Sequence, residues 1–85
     1  METRIAVIAI IVEDSGSVEE LNAILHQYAH YVVGRMGVPY HPKKVSVISV
    51  ILDAPQAEIS ALSGKLGMLS GVSSKTVYSK LPQAE

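Results

Sequence analysis

The chain opens on a long apolar run at residues 4–12, which reads Arg-Ile-Ala-Val-Ile-Ala-Ile-Ile-Val. A strand with one solvent-exposed face alternates apolar and polar residues, but here both alternating sets are apolar. The pattern therefore predicts a strand buried on both faces. One set comprises Ile5, Val7, Ala9 and Ile11, and the other comprises Ala6, Ile8, Ile10 and Val12. A chain of this size can cover one face with its own helices, so a second copy is expected on the other.

Three later segments predict further strands. Residues 45–52 repeat the pattern of the first, because Val45, Val47 and Ile51 oppose Ile48, Val50 and Leu52, with Ser46 and Ser49 as the polar interruptions. Residues 35–40 predict a short edge strand, since Pro39 cannot donate to a ladder. Residues 72–81 predict a second edge strand, with Val72, Ser74, Thr76 and Tyr78 opposite Lys75 and Lys80.

Two helices are predicted between these strands. The first begins with capping-box spacing at Ser17 and Glu20 and ends near Gly34. Its apolar stripe is Val18, Leu21, Ile24, Leu25, Tyr28 and Val32. The second begins with Asp53 as its cap, Pro55 in its first turn and Gln56 at the capping-box position. Its stripe is Ile59, Leu62, Leu66 and Leu69.

The predicted order, strand, helix, strand, strand, helix, strand, is that of the α+β ferredoxin-like βαββαβ sandwich. Right-handed crossovers place the first and third strands at the centre of a four-stranded antiparallel sheet, with both helices on one face. We expect one domain over residues 1–85, with a frayed tail at 82–85. The bare face predicts a homo-oligomer, a dimer or tetramer formed through sheet faces or edges.

Composition excludes several classes of function. Seven basic and eight acidic residues give a formal charge of −1, so no positive field attracts nucleic acid or an anionic membrane. A mean hydropathy of +0.30 with 18% charged residues is apolar for a small domain, which favours an interface. The chain has no cysteine, which fits a cytoplasmic protein and excludes a disulfide or a thiolate site. The first strand is too short to span a bilayer.

Two segments are candidate ligand sites. Asp14, Ser15, Gly16 and Ser17 open the first helix, where free amides favour a small anion. The second segment is glycine-rich and contributes Ser63, Gly64, Lys65, Gly67 and Gly71. It lacks Walker spacing, and a purely structural interpretation is also open. In that interpretation the glycines let the second helix pack closely on the sheet, Gly67 caps it and Gly71 makes a turn.

The histidines give the sharpest chemical hypothesis. His26 and His30 lie four residues apart on the first helix, the spacing that brings two imidazoles to one metal, and His41 follows in a turn. The alternative is a pair of solvated histidines opposite the core stripe. Serine, histidine and aspartate are present, but no nucleophile elbow accompanies them, so no catalytic residue is predicted and the chain is expected not to be an enzyme.

Several segments together resemble the iron-only hydrogenase system regulators. They are Ala61-Leu-Ser-Gly-Lys-Leu-Gly-Met-Leu-Ser-Gly-Val72, Lys75-Thr-Val77, Gly34-Arg-Met-Gly-Val-Pro39, and the apolar first strand followed by Glu-Asp. The resemblance implies a stand-alone ACT-like domain, similar to the C-terminal domain of nickel-responsive regulators, that assembles through its sheets. It implies a regulatory role, which for the family is inferred from association with hydrogenase maturation. It does not identify a ligand.

Two departures separate the chain from the nickel-responsive regulators. It has no cysteine and no His-x-His, so their nickel site does not carry over. Those regulators carry an N-terminal ribbon-helix-helix domain, whereas here residue 4 is already expected in the first strand, so control of transcription is expected to run through a partner. The leading hypothesis is an oligomeric regulator that senses a small molecule near residues 14–17 and 63–71. The alternatives are a nickel or iron sensor using the histidines and, on fold analogy alone, a small enzyme.

Overall fold

The computed structural model describes residues 2–80. Four strands and two helices follow the predicted order. The strands are β1 (Arg4–Val12), β2 (Val32–Tyr40), β3 (Val45–Ala54) and β4 (Val72–Tyr78), and the helices are α1 (Val18–Gln27) and α2 (Gln56–Gly67). There are also three short 3₁₀ turns. One precedes α1 (Ser15–Ser17), one follows it (Ala29–Tyr31), and one joins β2 to β3 (His41–Lys43). No helix within residues 2–80 is long and apolar enough to cross a membrane.

The sheet has the strand order β2-β3-β1-β4, and every neighbouring pair is antiparallel. Val7 of β1, for example, lies between Ile51 of β3 and Val77 of β4. The two apolar strands are therefore central, and β2 and β4 are the edges. This architecture confirms the predicted ferredoxin-like α+β sandwich.

The core lies between one face of the sheet and the two helices. Ile8 and Ile10 of β1 are fully buried against Leu21 of α1 and Ile59 of α2, and Val50 of β3 is fully buried beside them. One alternating set of each central strand supplies this layer, as the period of two requires. Both helices therefore cover the same face of the sheet.

The first helix ends earlier than the sequence predicted. α1 stops at Gln27, and Tyr28 leaves helical geometry with φ −109° and ψ 15°. A 3₁₀ turn then leads into β2 at Val32, so Gly34 lies inside a strand beside a β-bulge and caps no helix. β-Branched Val32 and Val33 favour extended backbone. The apolar spacing persists through the turn because Tyr28 is buried and Tyr31 and Val32 are partly buried against the core.

Neither of the two predicted helix caps forms. Ser17 precedes α1 but makes no capping bond; Asp14 caps the preceding 3₁₀ turn through the amide of Gly16. Asp53 lies in β3, paired with Ile5, because that strand runs on to Ala54. Pro55 occupies the cap position of α2, one residue ahead of the first turn, and has no polar side chain to offer.

The last strand keeps its predicted faces but is shorter than predicted. β4 ends at Tyr78, and its alternate residues Val72, Ser74, Thr76 and Tyr78 are half-buried beneath the helices. The intervening Lys75 and Val77 are exposed. The predicted end of this strand at Leu81 and the predicted tail at 82–85 lie outside the described residues.

Candidate functional site

The loop after β1 packs against the turn before β4. The amide of Glu13 donates to the carbonyl of Gly71 at 2.7 Å, and the Ser17 hydroxyl donates to the carbonyl of Ser70 at 2.6 Å. We call residues 13–17 and 70–71 the loop junction. Two segments that are separate in the sequence analysis, Asp14–Ser17 and Gly71, are therefore adjacent.

Gly71 is the residue that permits this close approach. Its φ is +67°, and a Cβ at this position would lie 2.5 Å from the Asp14 Cβ and 2.9 Å from the Asp14 backbone nitrogen. Only glycine adopts this conformation without strain, and only glycine leaves the space. Gly71 therefore makes the predicted turn.

Some polar groups of the loop junction are already engaged. Asp14 Oδ1 accepts from the Gly16 amide at 2.9 Å, and Ser17 is buried with its hydroxyl bonded to Ser70. These two side chains hold the loop. Ser15 is exposed, so its hydroxyl is open to solvent.

We expect Ser17→Ala to lower the free energy of unfolding by about 1–3 kcal/mol, because it removes a buried donor from the Ser70 carbonyl. Ser15→Ala is the matched control, since Ser15 is exposed, and it should change stability by less than about 0.5 kcal/mol. Urea unfolding followed by circular dichroism measures both. Equal stabilities of the two variants would show that the junction bond contributes nothing.

An open groove of about 400 Å³ runs beside the loop junction. It lies between the β1–α1 loop and the connection from β2 to β3, and we call it the loop groove. Its polar and charged lining comprises Glu13, Ser15, His41, Lys44 and Ser46. Apolar walls come from Val12, Val18, Pro39, Tyr40 and Val45. Two predicted candidates, Ser15 and His41, thus face the same space, together with Lys44, which the sequence analysis did not single out.

The glycine-rich part of α2 has a different environment from the loop junction. Ser63 Oγ lies 3.3 Å from Thr76 Oγ1 of β4, and Lys65 Nζ donates to Gln27 Oε1 at 3.2 Å. A Cβ added at Gly64 or Gly67 would meet nothing within 4 Å. These two glycines therefore serve no close packing of α2 on the sheet, contrary to the structural interpretation. α2 does end at Gly67, but without a left-handed cap.

The three histidines do not come together. His30 packs on Tyr31 with the rings 4.0 Å apart, His41 lines the loop groove, and His26 lines a second groove. Among residues 2–80 no group of three or more His, Cys, Asp or Glu side chains is placed to hold a metal. A metal site on these histidines would therefore need ligands from another copy. Calorimetric titration of Ni²⁺ into the wild-type protein and into His26→Ala/His30→Ala tests the metal-sensor hypothesis. Unchanged binding of Ni²⁺ by the double variant would rule it out.

The second groove, of about 260 Å³, lies between α1 and β2. Here Arg35 of β2 donates to Asn22 Oδ1 of α1 at 3.1 Å, and His26 lies one turn beyond Asn22. We call it the α1–β2 groove. Neither Asn22 nor Arg35 stands out in the sequence as a candidate site residue. The spacing of Asn22 and His26 was visible, but the position of Arg35 depends on β2 beginning at Val32.

The sheet surface opposite the helices is uncovered in one chain and largely apolar, and it also carries the charged side chains of Asp53 and Lys75. We call it the open face. Ile51 is 40% exposed at its centre, and Val77 is 68% exposed at one edge. Other large apolar residues on this face are Ile11, Met36, Val38, Tyr40 and Val47. The prediction that β1 is buried on both faces therefore holds for one face in a single chain.

Comparison with solved structures supports the fold at two levels of similarity. TM1266 of Thermotoga maritima, described as an uncharacterized protein, is 34% identical, with a TM-score of 0.89 over 93% of this chain and 100% of that one. The C-terminal domain of the MgtC protein of Mycobacterium tuberculosis is 15% identical, with a TM-score of 0.71 over 98% of this chain and 95% of that domain. The second likeness concerns the fold alone.

No curated protein matches the chain significantly. The TM1266-like family, described as "Iron-only hydrogenase system regulator, putative", matches residues 4–76. That match spans every strand and helix from β1 into β4. The resemblance inferred from the sequence motifs is thus confirmed, and the chain belongs to the TM1266-like family of iron-only hydrogenase system regulators.

Proposed function

We propose that this protein is a non-enzymatic regulatory domain that assembles into a homo-oligomer and senses a small molecule. In this proposal it serves the iron-only hydrogenase system and acts through protein partners. Membership of the regulator family supports the regulatory role. A formal charge of −1 argues against direct binding to nucleic acid, and a cysteine-free composition suits the reducing cytoplasm, where we place the protein.

The observation that carries the proposal is the open face. Apolar patches of this kind on a small domain mark interaction surfaces. Rows of apolar side chains cross three strands, as at Val38, Val47 and Ile11, so a second sheet could pack against them face to face. A two-fold dimer would use the same patch on both copies. Pairing through the β2 or β4 edges is the alternative geometry.

The proposed ligand region is the loop groove next to the loop junction. Ser15 and His41 offer hydrogen bonds there, and Lys44 and Glu13 supply one charge of each sign. A groove with apolar walls and a few polar groups is the common form of a small-molecule site. Of the glycine-rich candidates, Gly71 supports this region by holding the loop, whereas Ser63, Gly64, Lys65 and Gly67 do not line the groove.

Native mass spectrometry on protein purified gently from its own host tests the sensing part. We expect one small molecule per copy, and we expect Lys44→Gln to lose it. Lys80→Gln is the matched control, because Lys80 is an exposed lysine that does not line the groove. An oligomer without any added mass would overturn sensing while leaving assembly intact.

A further inference from the structure

We infer that the α1–β2 groove is a binding site for a small aliphatic carboxylate. The groove has no lining residue in common with the loop groove of the proposed function, and a shallow depression that includes Asn22, Arg35, Val18 and Pro39 lies between the two. The polar side chains of the α1–β2 groove are Asn22, His26 and Arg35, and no acidic residue lines it. This inference stands on the contents of the groove and does not require the proposed function.

Arg35 is the centre of the site. Within residues 2–80 its partner is the neutral amide oxygen of Asn22, and no carboxylate pairs with it. A guanidinium has five N–H donors in a planar fork, so most of its donors stay available after the bond to Asn22. The same fork matches the two oxygens of a carboxylate. The groove therefore contains a cation that no carboxylate neutralises.

Asn22 and His26 add donors from the neighbouring helix. They lie four residues apart on α1 and so project on the same side. Because Asn22 accepts from Arg35 through its oxygen, its amide nitrogen is left to donate to a ligand. His26 provides a ring N–H in either protonation state. All three polar side chains can thus donate to one anion.

The floor of the groove selects the rest of the ligand. Ala29 and Val32 present apolar surface to the groove, and the buried side chains of Leu25 and Val50 lie beneath it. An inorganic anion would gain nothing from these walls, whereas a short hydrocarbon body would be removed from water. The volume of about 260 Å³ lies below the roughly 300–1,000 Å³ of sites for drug-sized ligands. A carboxylate with a body of a few carbon atoms fits these limits.

Binding must depend mainly on Arg35. His26 belongs to the last turn of α1, where the negative end of the helix dipole opposes an anion. The positive charge from β2 has to outweigh that effect, and neutralising it should remove most of the affinity.

The test is a titration followed by amide chemical shifts in two-dimensional NMR, with butyrate as the probe. Butyramide, which has the same body without the charge, and inorganic phosphate are the comparison ligands. We expect butyrate to give saturable shifts confined to residues around 22–29 and 32–35, while butyramide and phosphate bind at least about tenfold more weakly. Phosphate as strong as butyrate would overturn the aliphatic assignment.

Three variants complete the test. Arg35→Gln should weaken butyrate at least about tenfold, Arg35→Lys should restore part of the affinity, and Lys43→Gln, which removes an exposed charge outside both grooves, should change nothing. No saturable shift in the wild type, or equal binding by Arg35→Gln, would overturn the site. Shifts confined to residues 13–17 and 40–46 would also overturn it while supporting the loop groove, so the two proposals fail separately.

Discussion

Ile51→Lys is expected to convert the proposed oligomer into folded monomers. Ile51 lies at the centre of the open face, with Val7 on the adjoining strand, so a two-fold sheet contact would bury two introduced lysines. Taking an ammonium out of water into such an interface costs several kcal/mol even with Asp53 two residues along on the same face, and the symmetry applies the cost twice. Dimer affinity should therefore fall by at least about a hundredfold. Sedimentation velocity at micromolar concentrations measures the change.

The monomer should keep its fold, because the lysine projects from a face that the chain's own helices do not cover. Circular dichroism checks this expectation. Ala23→Lys is the matched control: Ala23 is exposed on α1, away from the sheet, so the same new charge should leave the oligomer intact. If Ile51→Lys stayed oligomeric while folded, the copies would be joined through the β2 or β4 edges.

Gly71→Ala is expected to destabilise the protein by about 3 kcal/mol or more. The left-handed backbone alone costs a non-glycine residue about 1–2 kcal/mol. The new Cβ would also lie 2.5 Å from the Asp14 Cβ and 2.9 Å from its backbone nitrogen, so the β1–α1 loop must move away. Because small domains have about 5–15 kcal/mol of stability, the loss should be plain in thermal or urea unfolding.

Gly64→Ala is the same substitution at another position, and we expect it to have the opposite effect on the stability of the fold. Gly64 lies in the interior of α2 with open space where a Cβ would stand. Alanine there removes backbone freedom from the unfolded chain and should stabilise the protein by about 0.5–1 kcal/mol. Two variants that changed stability in the same direction would contradict the roles assigned to the two glycines.

The sheet could be predicted from the sequence because β1 and β3 are each apolar at both sets of alternating positions. Residues such as Ile8 and Val50 alternate with Val7 and Ile51, and strands this apolar on both faces fit the centre of a sheet. The strand order followed from the handedness of the crossovers. The sequence could not tell which face the chain itself covers, since both sets of side chains are equally apolar.

The end of α1 was missed because its apolar spacing continues past the last helical residue. Leu25, Tyr28 and Val32 keep the helical period, although the backbone changes to a 3₁₀ turn and then a strand. The caps were missed for a related reason. A serine or aspartate at a helix start offers the same hydroxyl or carboxylate to any nearby partner, and tertiary contacts decided the outcome at Ser17.

The candidate sites were predictable only where they are local in sequence. Asp14–Ser17 is a loop segment visible by inspection, but its contact with Ser70 and Gly71 is a tertiary one. Arg35 was invisible as a site residue because its pairing with Asn22 requires α1 and the extended β2 to lie side by side. Lys44 likewise reaches the loop groove only through the connection after β2.

The most direct test of the proposed assembly is the mass of the wild-type protein in solution. Size-exclusion chromatography with light scattering at micromolar concentration gives that mass without assuming a shape. The 9.1 kDa chain is predicted to elute as a dimer or tetramer. A mass of one chain across the whole concentration range would contradict the account, because the apolar open face would then be exposed to water in the functional protein.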